Sequence, residues 1–248
     1  MTRKLFDITG SERKSFLQNL ITNDIAKLEQ GLLYAALLTP QGKFITDFFL
    51  HERGERLILD APALTADDLL RRLTLFKLRA DVSIAASDLK VFCGTSARHE
   101  AALDDPRHAA MGWRLYGEES GDDGSDWDAI RVAHCIPQTG IELIPNESYI
   151  LEAGFERLNG VDFHKGCYVG QEVVARMKHK TTLHKGLCRV NISQPAPVGS
   201  PITAAGKPVG TLFTQAHGQA IAYLRFDRAT GQMQAGEATV TRMDAKTP

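Results

Sequence analysis

Lys165-Gly166-Cys167-Tyr168-Val169-Gly170-Gln171-Glu172, set within the longer run from Phe155 to Arg176, decides how this chain is read. Gly166 and Gly170 bracket a segment whose backbone is free to turn sharply or to approach another group closely. From Gln171 to Met177 the composition favours helix, with Val173, Val174 and Met177 at i, i+1 and i+4. The pattern predicts a helix that begins near Gly170. Cys167 then lies just before a helix N-terminus, two residues after the ammonium of Lys165. Unpaired backbone N–H groups and a neighbouring cation both favour thiolate over thiol. Cys167 is therefore a candidate nucleophile or metal ligand; the plain alternative is a small buried apolar residue.

Glu172 falls in the first turn of that helix. There it complements the helix dipole, or it accepts two hydrogen bonds from a heterocycle with adjacent N–H groups, such as a pterin. Arg176, one turn on, pairs with Glu172 at i, i+4 or holds a carboxylate-bearing ligand. His164 and Cys167 stand at i, i+3, a weak spacing for a metal site. From Asp162 to Arg189 six Lys/Arg face two acids, which reads as solvated surface or as a contact for an anionic tail, an acidic protein or RNA.

Upstream, Thr9-Gly10-Ser11-Glu12 reads as a capping box before a helix carrying Phe16, Leu17, Leu20 and Ile21. A β meander follows. Leu32 to Leu38 runs out, Pro40-Gln41-Gly42 turns, Phe44 to Leu50 returns, and Arg56 to Asp60 follows a second turn. Thr65 is placed as the cap of a helix bearing Leu69, Leu70, Leu73 and Phe76. Val82 to Ala85 and Val91 to Cys93 are read as short strands, and Glu118 to Asp128 as a solvated acidic loop. Helices are expected over Asp126–Ala133 and Ser148–Leu158. Past Thr181, Leu187–Ile192, Pro201–Thr203, Val209–Thr214, Ala220–Arg225 and Ala238–Met243 are short strands between glycines, the pattern of a small barrel or sandwich. The class is α+β.

Composition limits the possibilities. With 248 residues, 43% hydrophobic and 24% charged, the chain is neither disordered nor fibrous. A net charge of -1 offers no global field for nucleic acid or acidic membranes. No apolar run reaches membrane-spanning length, and no apolar h-region follows the basic start. Cys93, Cys135, Cys167 and Cys188 are far apart and form no zinc-like spacing. The expectation is a reduced, cytoplasmic protein. Cys93, Cys135 and Cys188 read as structural.

The stretch from Lys165 to Glu172 resembles the K-G-C-[FY]-x-G-Q-E signature of the YgfZ family of folate-binding proteins. That family is related to the glycine-cleavage T-protein, an aminomethyltransferase, and includes a mitochondrial factor in [4Fe-4S] maturation. Phe16-Leu17-Gln18, Thr22-Asn23-Asp24, the hairpin from Tyr34 to Lys43 and Leu151-Glu152-Ala153-Gly154 carry the resemblance through the rest of the chain. It implies a T-protein-like fold: two ferredoxin-like α+β modules, at 1–88 and 89–182, and a C-terminal β-barrel at 183–248, around a central folate-sized opening.

The resemblance further implies a folate-binding accessory factor in iron–sulfur cluster assembly or repair, which indirectly supports tRNA-modifying radical enzymes. Cys167 would be the thiolate ligand or reactive thiol. Tetrahydrofolate would be the cofactor, with Lys165, Tyr168, Gln171, Glu172, Arg176, Tyr34 and Asp47 as its contacts. One cysteine cannot hold a [2Fe-2S] or [4Fe-4S] cluster, which needs about four ligands. A cluster would thus be transient and shared, with A-type scaffold proteins and cluster-dependent client enzymes as partners. Neither direct nucleic-acid nor membrane contact is expected, and the chain is expected to be a monomer. The alternative is a tetrahydrofolate-dependent one-carbon transferase with Asp47 as acid/base group. Thr46, where the T-protein pattern tends to carry a second acid, speaks against that alternative.

Overall fold

The computed structural model describes residues 2–180 and 183–243. The expected boundary after residue 182 thus falls beside two residues outside that description.

An antiparallel five-stranded sheet opens the fold, in the order β2-β3-β4-β1-β5. Its strands are β1 (Arg3–Thr9), β2 (Leu33–Leu38), β3 (Phe44–Arg53), β4 (Arg56–Pro62) and β5 (Ser83–Ala86). The meander read from the sequence is present. Every residue of β2 is buried because both faces of the sheet are covered. Leu33, Ala35 and Leu37 pack with Leu17 of α1 (Arg13–Gln18) and Leu69 of α2 (Ala63–Lys77). Tyr34, Ala36 and Leu38 meet Phe44, Phe49 and Phe155 on the other side. A strand covered twice must be apolar at every position, which is why Leu32 to Leu38 shows no alternation.

A second sheet faces this one. It holds β6 (Lys90–Gly94), β7 (Leu103–Asp104), β8 (Trp113–Gly117) and β9 (Gly121–Asp122), ordered β7-β8-β6-β9. Val91, Met111 and Tyr116 join Tyr34 and Phe49 in one apolar cluster. α3 (Trp127–His134) follows, capped by Asp126, whose side chain accepts from the Ala129 N–H at 2.9 Å. The strand-rich end closes as a six-stranded barrel, β10-β13-β12-β11-β14-β15. Those strands are Lys185–Ile192, Pro201–Ala204, Lys207–Ala216, Gln219–Arg225, Gln232–Ala235 and Ala238–Arg242 in chain order. Val190, Ile202, Leu212, Leu224, Met233 and Val240 fill its interior.

The helix predicted near Gly170 is α4 (Gln171–Lys180). Gly170 has φ +84°, and a Cβ there would lie 2.6 Å from the Thr39 carbonyl oxygen. The turn of the β2–β3 hairpin therefore packs directly against the start of α4.

Several elements differ from expectation. The capping box does not form. Glu12 Oε2 accepts from the Asp81 N–H at 2.6 Å, and Ser11 donates to Asp81, so these residues staple the start of α1 to the approach of β5 instead. Thr65 lies inside α2, which begins at Ala63 after Pro62, and its hydroxyl meets that of Thr46 at 2.5 Å. Ser148–Leu158 is a chain of turns and not a helix. Its bonds mix three-, four- and five-residue spans, as in Gly154 N–H to Leu151, Ala153 N–H to Tyr149 and Phe155 N–H to Ile150, and Gly154 sits at φ +78°. Strands β1, β7, β8 and β14 lie where the sequence reading places no element, and the two-residue β9 lies inside the stretch read as an acidic loop.

Gly170→Ala would force a side chain into a positive φ and against a carbonyl. We expect a loss of about 1–3 kcal/mol, the usual cost of such strain. Urea denaturation checks this; an unchanged midpoint would mean that the approach relaxes freely.

Candidate functional site

Residues of β1, β3, β6, β8 and α3 surround a cavity of about 1040 Å³. Its floor is charged. Asp60, fully buried on β4, accepts from Arg3 Nε at 2.6 Å, Arg114 Nη1 at 3.1 Å and the Tyr116 hydroxyl at 3.0 Å. Arg114 Nε reaches Asp105 at 3.2 Å, and Asp105 takes a bidentate pair from Arg107 at 2.9 and 2.7 Å. The three guanidiniums gather over the Phe49 ring, Arg114 nearest at 3.9 Å from its centroid. Burial opposes ionisation of Asp105, but Arg107 and Arg114 outweigh it and hold its pKa at about 2.

Asp47 enters the cavity from β3, where Asp47 pairs with Ala36 across the hairpin. Its Oδ2 accepts from the Tyr34 hydroxyl at 2.9 Å, and its Oδ1 accepts from the Thr139 hydroxyl. Both carboxylate oxygens are thus engaged. Burial, then the Asp47 charge, pushes the Tyr34 pKa well above its ordinary value, so the phenol stays a donor.

The opposite wall carries Trp127, Arg131, Gln138 and Thr139. Arg131 is buried on α3. Its Nη2 donates to Thr214 Oγ1 of the barrel at 2.5 Å and to both oxygens of Glu142 at 3.3 Å, while Nη1 reaches Gln138 Oε1 at 3.2 Å. Its Nε is buried without a partner. Asp105, Arg107, Arg114, Arg131 and Thr139 escaped the sequence reading. The one available signal was Arg114 standing two residues from Tyr116 on a short strand, which puts both on one face toward Asp60.

The signature lies elsewhere. Among the lining residues of the cavity there is no Lys165, Cys167, Tyr168, Gln171, Glu172 or Arg176. Asp47 and Tyr34 come together; the signature residues do not join them. Glu172 and Arg176 are exposed on α4, and no ion pair between them is among those of the described residues. Tyr168 is buried in the core, its pKa raised to about 12 by burial and Asp162. Gln171 Nε2 approaches the Gly166 carbonyl at 3.5 Å.

Cys167 is exposed, beside exposed Gly166. Lys165, in contrast, is 6% exposed. Its ammonium donates to the carbonyls of Gln18 at 2.7 Å, Ile21 at 2.6 Å and Asn23 at 3.0 Å. Burial lowers its pKa to about 8 against the pull of Asp24 and Asp162. The expectation of a free cation beside the thiol is corrected accordingly: this cation points into the first module. The other three cysteines are partly buried. Burial raises Cys93, takes Cys135 to about 11 and takes Cys188 to about 12.

Residues 184–245 match the C-terminal β-barrel domain of CAF17. The chain is 27% identical over 293 residues to the human protein named iron-sulfur cluster assembly factor IBA57, mitochondrial, spanning 99% of this chain and 82% of that one. The mouse protein of the same name is 28% identical over 278 residues, with 93% and 78% coverage. Among solved structures, an aminomethyltransferase T of the glycine cleavage system from Bartonella henselae superposes with a TM-score of 0.76 at 14% identity, covering 96% of this chain and 81% of that one. The resemblance carried by the signature is borne out, and so is the T-protein-like fold with its barrel. The cytoplasmic expectation is not. The relatives are named mitochondrial, which counts against that expectation.

The low pKa of Asp105 has a consequence for stability. In the unfolded chain an aspartate titrates near 4, so the folded state binds fewer protons between about pH 4 and 2. The stabilisation is present above that window and is lost as the pH falls through it, on the order of 2 kcal/mol. Asp105→Asn is expected to be less stable at pH 7, because two buried arginines lose a partner. Its stability gap to the wild type should close between about pH 4 and 2. Denaturation curves across that range measure it; parallel curves would count against the assignment.

Proposed function

We propose that this protein is an accessory factor in iron–sulfur cluster assembly, in which Cys167 lends one thiolate to a cluster held mainly by a partner. The observation that carries the reading is the placement of the cysteines: Cys167 alone is exposed, while burial raises the other three thiols. The relatives named as cluster assembly factors support the same role. Among the described residues no group of three or more His, Cys, Asp or Glu stands together as a metal site, so the remaining ligands come from the partner. An A-type scaffold protein is the proposed donor. Cluster-dependent client enzymes, radical enzymes that modify tRNA among them, are the proposed beneficiaries.

Tetrahydrofolate is the proposed occupant of the cavity. The volume is ample, Trp127 offers an aromatic face, and the buried unpartnered Nε of Arg131 calls for an acceptor such as a pterin or amide oxygen. Arg107, Gln138 and Asp47 supply further polar groups. Bound there, the folate would carry a one-carbon unit. Asp47, with both oxygens already accepting hydrogen bonds, suits a positioning role better than proton transfer, which favours the accessory reading over the transferase one.

Two measurements test this. Mixing the apo-protein with a [2Fe-2S]-loaded A-type scaffold should give a complex whose visible spectrum differs from that of the scaffold alone, and Cys167→Ser should abolish the difference; identical behaviour of the two proteins removes thiolate ligation. Separately, tetrahydrofolate at 100 times its dissociation constant should stabilise the protein by about 2.7 kcal/mol. Arg131→Met or Asp47→Ala should shrink that shift and Glu172→Ala should leave it intact, since Glu172 lies outside the cavity. A shift lost in Glu172→Ala would put the ligand at α4.

A further inference from the structure

We propose that Lys165 is the positioning residue for the Cys167 thiol: a buried clasp that fixes the thiol loop to the first module and to the wall of the cavity. The proposal rests on the reading of Cys167 as a ligand. A cysteine lent to a partner's cluster must stand in the open yet in a defined place, and the loop around it has that construction.

The exposed part is two residues long. Gly166 and Cys167 lie between buried Lys165 and buried Tyr168. On the Lys165 side, all three ammonium protons find an acceptor, the carbonyls of Gln18, Ile21 and Asn23. Gln18 ends α1, where carbonyls lack partners within the helix and a cation is favoured. Three acceptors around one nitrogen fix it as a tripod fixes its apex.

A second anchor adjoins the first. Asp162 Oδ1 accepts from the N–H groups of His164 at 2.6 Å and Lys165 at 3.2 Å, and Oδ2 pairs with Lys27 at 2.7 Å. On the other side of the thiol, Tyr168 packs in the core and Gly170 abuts Thr39. The thiol is thereby preorganised, and a docking partner need not pay to order it.

Asn23 extends the clasp to the cavity. Its carbonyl accepts from Lys165, and its Nδ2 donates to Asn159 O and Tyr34 O, both at 2.8 Å. Tyr34 is the residue whose hydroxyl holds Asp47. Thr22 adds two bonds in parallel, from its hydroxyl to Gly160 O at 2.7 Å and from the Asp162 N–H to its own carbonyl at 3.0 Å. The thiol loop and the cavity wall thus share one buried segment, Thr22-Asn23.

The test compares Lys165→Met with Lys165→Arg in the full chain. In Lys165→Met, amide hydrogen exchange across residues 162–170 should rise about tenfold or more, with the barrel and the first sheet unchanged. Cluster uptake from the [2Fe-2S]-loaded scaffold should fall by a comparable factor. Lys165→Arg restores a cation and should recover part of both losses. Unchanged exchange in 162–170 overturns the proposal, as does a loosened loop that takes up cluster at the wild-type rate. Exchange raised evenly across the chain also overturns it, since Lys165 would then be an ordinary core residue. Should Lys165→Met not fold, Lys165→Gln carries the same readouts. Exchange is read without any cluster. A failure of Cys167 to ligate would therefore show in Cys167→Ser and leave the measurement on the clasp standing.

Discussion

One guanidinium, that of Arg114, stands between two buried carboxylates, Asp60 of the first sheet and Asp105 beside the second. Two sheets that met only through apolar side chains would close on each other and leave no cavity. Here charged groups occupy the meeting place, and each must keep a partner because an unpaired buried charge is very costly. The spacing of the sheets is therefore set by the reach of arginine side chains. Phe49 supplies the apolar plate over which those cations lie. A cavity lined by charged and polar side chains follows from that geometry.

Two candidate regions result, at different places on the same strand pair. The Asp47 carboxylate lines the cavity, held by Tyr34 and Thr139. The turn of the same hairpin packs on the start of α4, next to the loop that presents Cys167. The β2–β3 hairpin is thus a shared chassis. Its apolar completeness, with every residue of β2 buried, makes it stiff enough to serve both.

Much of this was legible in the residues, for identifiable reasons. The hairpins of the first sheet declare themselves because Pro40-Gln41-Gly42 and Glu52–Glu55 interrupt apolar runs. The start of α4 is legible because Gly170 precedes a helix-forming run. What escaped was polar and inward-facing. Arg3 and Lys4 look like a charged tail, yet Arg3 turns in to Asp60 and β1 becomes an interior strand. Arg107 and Arg131 read as surface because sequence does not show which acid will meet them. Lys165 was placed correctly along the chain and wrongly in space: proximity of two residues in sequence says nothing of where a long side chain points. Gln232 to Ala235 alternates polar and apolar, with Met233 and Ala235 buried in the barrel, but a four-residue run is too short to announce a strand.

The barrel closes through β15, which pairs with β14 on one side and β10 on the other. Until residues 238–242 arrive, both of those neighbours present open edges, and open edges recruit strands from other molecules. During synthesis the two sheeted modules emerge first and have time to settle, while the barrel waits for its last stave. A message cut short just upstream of that stave would leave the barrel with a sticky rim, and the fate of such a chain would be self-association.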